Sequence, residues 1–337
     1  ESGESGESGE SGESGESGES GAAEIYRVRA AVERKDALAY HYMTHVSGIA
    51  FGGGGDNGTA AEFATCQDST NRYGAAEAWD AARDWRWENA NRTDAAAEAA
   101  EGTAGNNFMG PSLWRVASYA VDNQQYGPEK WHKDADGRSR YGSHIDMLHQ
   151  SPRCVGITFD GSGRRSSGTD DHPMRSYWAV DDGWGAPLRH GPVVHYDFDL
   201  DHGEGGSNHT AARVVRYRGF MLTRVPGVAS QPVFDPAQRM LYVADAGGGR
   251  VVKINVSAGV VNETDVPPFA VQMHALTSYK YADVPAAASW SLGAGVLGHP
   301  SGLALRVEGT TGEAVLFVSD FGTSKIHVLF AANGESA

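Results

Sequence analysis

The chain has 337 residues and a net charge of −15, from 28 Lys+Arg against 43 Asp+Glu. Seven of the acids lie in an opening Glu-Ser-Gly repeat, which leaves about −8 for the remainder, an ordinary acidic surface without the basic stripe that nucleic-acid binders carry. No apolar run approaches the roughly 18–20 residues that cross a bilayer as a helix, so neither nucleic-acid binding nor membrane insertion is expected.

Residues 1–21 are seven copies of Glu-Ser-Gly. Glycine at every third place matches a collagen register, but there is no proline to favour the polyproline-II conformation. An extended or disordered acidic arm, a glycosylated arm and a placeholder stretch are the readings left open. No charged n-region followed by an apolar h-region opens the chain, so a secreted protein of this sequence is expected as its mature form.

Residues 22–337 read as a second, folded region. Short apolar runs bounded by Gly, Asp, Asn and Pro predict strands at 46–51, 155–159, 177–180, 193–198, 240–245 and 316–320. With 44 Gly and 13 Pro in the chain, many of them between these runs, the expected class is all-β. One stretch departs from it: residues 75–104 are rich in Ala and Glu and predict a helical insertion. Trp79, Trp85 and Trp87 either dock that insertion on the body or form a platform for stacking a sugar.

Two C-terminal stretches repeat one pattern. HPSGLAL from His299 followed by LFVSDFGTSKIHVL from Leu316 aligns with QPVFD from Gln231 followed by LYVADAGGGRVVKI from Leu241. Each has a Pro-led strand, an apolar strand ending in Asp, a glycine turn and a basic residue opening the next strand. Looser versions begin at Ser151, with CVGITF, YWAVDD and VVHYDFD, and at His45, with VSGIAF and EFATCQ. In these residues the chain resembles the NHL-repeat β-propellers. The resemblance implies four to six blades, each sheet apolar on both faces because a blade packs between two neighbours. Unit starts near 46, 152, 232 and 300 lie farther apart than the roughly 40–45 residues of a compact blade, so insertions or unrecognised blades are expected between them. Asp245 and Asp320 are expected to be structural, accepting backbone N–H bonds at a turn where Gly247 and Gly322 supply positive φ.

Five sequons, at Asn57, Asn91, Asn208, Asn255 and Asn262, exceed the roughly 1.4 that random placement of the chain's Asn, Ser and Thr would produce. They predict an extracellular or cell-surface protein modified by N-linked glycans. Asp197, Asp199 and Asp201, alternating before Gly203, resemble a calcium loop, although His202 stands where such a loop has glycine and no bidentate Glu follows; a solvated acidic turn is the competing reading. Cys66 and Cys154 form either one disulfide or two separate thiols, and spacing does not choose between them. No nucleophile elbow, phosphate loop or zinc spacing is present, so no catalytic residue is assigned.

Three functions compete at this level. A structural or interaction protein, self-associating or binding other surface proteins in a filament or matrix, suits the sequons and the missing catalytic motifs. A secreted metal-dependent propeller lyase or hydrolase is the second. A carbohydrate-binding module using Trp79, Trp85, Trp87 or Trp184 is the third.

Overall fold

A computed structural model describes residues 46–52, 62–67, 72–73, 106–107, 111–115, 144–147, 151, 154–161, 175–181, 191–198, 212–265, 278–307 and 314–330. The opening arm at 1–21, the predicted helical insertion at 75–104, and Trp184 lie outside the described residues. Within them the chain is all-β: nineteen strands, two single 3-10 turns at Val256–Ala258 and Ala286–Ala288, and no α-helix.

Four sheets follow one another along the chain. The first contains β1 (Val46–Phe51), β2 (Glu62–Gln67), β5 (Ser112–Arg115) and β6 (His144–Met147), in that order and antiparallel. A two-residue ladder, β3 (Arg72–Tyr73) with β4 (Asn106–Asn107), stands apart from it. The second sheet is the meander β7 (Cys154–Phe159), β8 (Arg175–Asp181), β9 (Val193–Phe198) and β10 (Ala212–Arg218). The third is β11 (Pro232–Asp235), β12 (Met240–Asp245), β13 (Arg250–Asn255) and β16 (Ser289–Leu292). The fourth has three strands, β17 (Pro300–Val307), β18 (Ala314–Asp320) and β19 (Lys325–Phe330). Between β13 and β16 the chain leaves the third sheet as a hairpin, β14 (Val260–Asp265) and β15 (Ser278–Asp283). It joins the second sheet, with β15 parallel to β10. That excursion accounts for the long spacing between the last two repeat units.

The first strands of successive sheets touch: β1 lies against β7, β7 against β11, and β11 against β17. Three apolar layers join the sheets. Ala50, Ala64 and Leu113 pack on Ile157, Tyr177, Ala179 and Val194. On the other face of the second sheet, Trp178, Val180 and Val193 meet Phe234, Leu241, Val243 and Ile254 of the third. Tyr242, Val251 and Leu292 then meet Leu316 and Val318 of the fourth. A sheet packed on both sides has no polar face, which is why Tyr177–Val180 and Leu241–Ala244 are uninterrupted apolar runs with every residue buried. No sheet closes into a barrel, and the four do not form a closed ring among the described residues.

Three hairpins share a four-residue loop. Asp235 pairs with Met240, Asp245 with Arg250, and Asp320 with Lys325. In each, the fourth loop residue is left-handed: Arg239 (φ 58°), Gly249 (φ 57°) and Ser324 (φ 56°). Positive φ at Gly247 and Gly322 was the expectation from sequence, and it is corrected: the left-handed position lies two residues later. Those glycines answer a different need. A Cβ on Gly247 would lie 2.7 Å from Thr223 O, and one on Gly322 would lie 2.8 Å from His299 N. Glycine is there because two backbone segments approach closely.

Candidate functional site

Three first strands carry the same local defect. Pairing register shifts between Val46 and Gly48 in β1, between Cys154 and Gly156 in β7, and between Pro300 and Gly302 in β17, leaving Ser47, Val155 and Ser301 bulged. Their three carbonyls meet the segment that enters β11. Gln231 Nε2 donates to Ser47 O (2.6 Å), Ser230 N donates to Val155 O (3.0 Å), and Gln231 N donates to Ser301 O (2.9 Å). Gln231 Oε1 accepts from Ile157 N at 3.4 Å, and Gln231 O from Ala244 N at 3.2 Å. One residue therefore bonds all four sheets. Close approach makes glycine necessary beside it: a Cβ on Gly156 would stand 2.1 Å from Ser230 O. The x-Gly-Ile/Leu pattern at three of the four repeat starts was the available sequence signal; nothing in QPVFD singled out the glutamine.

Beside this junction, Cys66 of β2 and Cys154 of β7 are joined as a disulfide, 88 residues apart with Cα atoms separated by 5.1 Å. Both are fully buried, and the bond ties the first sheet to the second.

Buried charges complete the links. Asp160, directly after β7, accepts from Trp178 Nε1 (3.0 Å) and His195 Nε2 (2.9 Å) on one oxygen and from Arg239 Nη1 (3.2 Å) on the other. His195 also lies against the Trp178 ring, centroids 4.2 Å apart. Arg216 of β10 is wholly buried; it donates to Asp181 Oδ2 (2.7 Å), Tyr279 Oη (3.0 Å) and Gly191 O (2.8 Å). Burial opposes its charge, but Tyr279 and Asp181 outweigh it and raise the guanidinium pKa. Asp181, Asp245 and Asp320 end the second strand of three successive sheets and are all buried. Asp245 accepts from Thr223 N (2.5 Å), Gly248 N (3.2 Å) and Arg250 Nε (2.8 Å). Asp320 accepts from Gly298 N (2.7 Å), His299 N (2.7 Å), Gly322 N (2.9 Å) and Thr323 N (3.3 Å). Against the upward push of burial, the Gly298 and His299 N–H groups and the side chain and N–H of Thr323 bring its carboxyl down to about 2. Every one of these groups spends its bonding on the scaffold.

Among the sequence-predicted site residues, Asp197 accepts from Ser176 Oγ at 2.9 Å, while Asp199 and Asp201 lie outside the described residues. No group of three His, Cys, Asp or Glu arranged for a metal occurs among the described residues. Asn255 Oδ1 accepts from Ser257 N (3.1 Å) and caps a 3-10 turn, and Asn262 Nδ2 donates to Asp283 Oδ2 (2.8 Å) on the edge strand β14. Asn57, Asn91 and Asn208 lie outside the described residues, as do Trp79, Trp85 and Trp87.

Two outer faces of the scaffold expose apolar side chains. On the fourth sheet, the face opposite the third sheet carries Phe317, Ile326, Val328 and Phe330, with Ile326 74% exposed. On the first sheet, the face opposite the second carries Ile49 and Phe51, the latter 67% exposed, with Phe51 against Phe63 and Phe63 stacked on Trp114. These are the residue types that the three internal layers bury. No protein-family model and no curated protein sequence matches the chain.

Proposed function

We propose that the protein is an extracellular, N-glycosylated structural subunit built of NHL-like, propeller-type blades in an open row, which associates with copies of itself in a filament or matrix. The four sheets, each opened by a strand at the common junction, are read as four of its blades. One observation carries the assembly: the two terminal sheets expose on their outer faces the aromatic and branched residues that interior sheets bury against a neighbour. Burying a Phe or Ile side chain is worth about 1.5–3 kcal/mol, so a patch of four to six such residues favours association. A contact between the outer face of the fourth sheet and that of another copy's first sheet is heterologous, and heterologous contacts that do not close generate filaments.

The test is the size of the secreted full chain with and without Ile326→Lys and Val328→Lys, read by light scattering and electron microscopy. The expected result is assemblies for the native chain and monomers for the double variant, with the same strand content by circular dichroism. A native chain that stays monomeric at its highest soluble concentration overturns the assembly.

A further inference from the structure

Among the described residues, β14 is the outer edge of the six-stranded sheet and pairs only with β15. Its first two residues are apolar and open, Val260 at 65% and Val261 at 53% exposed. An exposed apolar edge strand is a template for pairing with another chain, a liability that folded proteins blunt with bulges, charges or covering groups. The ladder between β14 and β15 is regular at Val260 and Val261 and shifts before Asp265, so Asn262 stands where the pairing is broken. Its Nδ2 donates to Asp283 Oδ2, a carboxylate also held by Arg218. Asn262-Glu263-Thr264 has the acceptor sequence for N-glycosylation.

We infer that Asn262 carries an N-linked glycan whose role is to cover the β14 edge and keep it from pairing with another copy. The inference rests on the extracellular reading above. In the modification, Asn262 Nδ2 forms a bond to C1 of a sugar supplied by a lipid-diphosphate-linked oligosaccharide. The C1–O bond to the diphosphate breaks, and one Nδ2 proton passes to a base of the transferase. The remaining Nδ2–H still donates to Asp283, which holds the first sugar beside Val260 and Val261. Asn255, the other described sequon asparagine, ends β13, a strand paired on both sides, and guards no edge.

The full chain is secreted from eukaryotic cells, and glycosidase release in heavy-oxygen water marks each asparagine that bore a glycan. Thr264→Ala removes the acceptor sequence while keeping Asn262 and its bond to Asp283. In the Ile326→Lys/Val328→Lys background, Thr264→Ala is expected to restore dimers, and Val261→Lys added to it to return monomers. Asn262→Gln removes the acceptor by a second route and is expected to produce the same dimers. An unmarked Asn262 overturns the inference, as does a glycan whose loss leaves the β14 edge no more associative. If the native chain is monomeric while Asn262 is marked and its loss drives dimers, the assembly reading fails and this one stands.

Discussion

Gln231 Nε2 donates to Ser47 O at 2.6 Å, joining two residues 184 positions apart. The same glutamine accepts from Ile157 N and donates its backbone N–H to Ser301 O. Gln231→Ala leaves Ser47 O and Ile157 N without those partners in a part-buried junction. Leaving a buried donor or acceptor unmet costs about 1–3 kcal/mol, so a loss of roughly 2–4 kcal/mol is expected, read from the denaturant midpoint. Gln231→Glu should lose a comparable amount, because a carboxylate cannot donate to Ser47 O.

Gly156 tests how tightly the first strands are held. A Cβ there meets the Ser230 carbonyl oxygen at 2.1 Å, and the chain behind that oxygen belongs to the neighbouring sheet. Gly156→Ala is expected to cost more than 3 kcal/mol. An alanine variant with native melting temperature would show that β7 and β11 do not approach as described.

The Cys66–Cys154 disulfide closes a loop of 88 residues. Chain-entropy reasoning assigns such a cross-link roughly 4–5 kcal/mol. Peptide mapping without reductant should recover the two cysteines in one linked species. Cys66→Ala/Cys154→Ala should lower the melting temperature, and added reductant should then have no further effect on that variant.

Arg216 and Asp181 are a wholly buried pair. Removing one partner strands the other charge, so Arg216→Met alone should cost about 3–5 kcal/mol. Asp181→Leu combined with it should recover a large part of that loss. A double-variant loss equal to the sum of the Arg216→Met and Asp181→Leu losses would mean that the pair carries no coupling.

Asp320 sets an acid limit. Its folded carboxyl sits at about 2, below the ordinary aspartate value, so the folded state holds the ionised form more strongly than the unfolded chain does. The associated stabilisation, about 2 kcal/mol, is fully present above the ordinary value, near pH 4, and is lost as pH falls toward 2. Asp320→Asn should flatten stability against pH in that window while lowering it at neutral pH. Unchanged acid sensitivity would remove Asp320 as its source.

The predicted strands at 46–51, 193–198 and 240–245 coincide with β1, β9 and β12, and the four repeat starts coincide with the four sheets. These were legible because a run buried on both faces and an Asp-led four-residue turn are properties of adjacent residues. Asp160, Asp181, Arg216 and Gln231 were not legible as a set, since each is defined by partners distant in the chain. The hairpin β14–β15 was equally hidden: sequence order places it in the third sheet, and only packing on β10 assigns it to the second.

By itself, then, the sequence determined the all-β class, the four repeat units, the buried aspartates at strand ends and the five sequons, all local in origin. The tertiary structure decided which carbonyls face Gln231, that Cys66 meets Cys154, which described sheet faces expose apolar residues, and that Asn262 stands on the edge strand of the described second sheet. Hydrogen bonding and apolar burial act across space, so the chemistry of a residue is settled by neighbours that the order of the chain does not name.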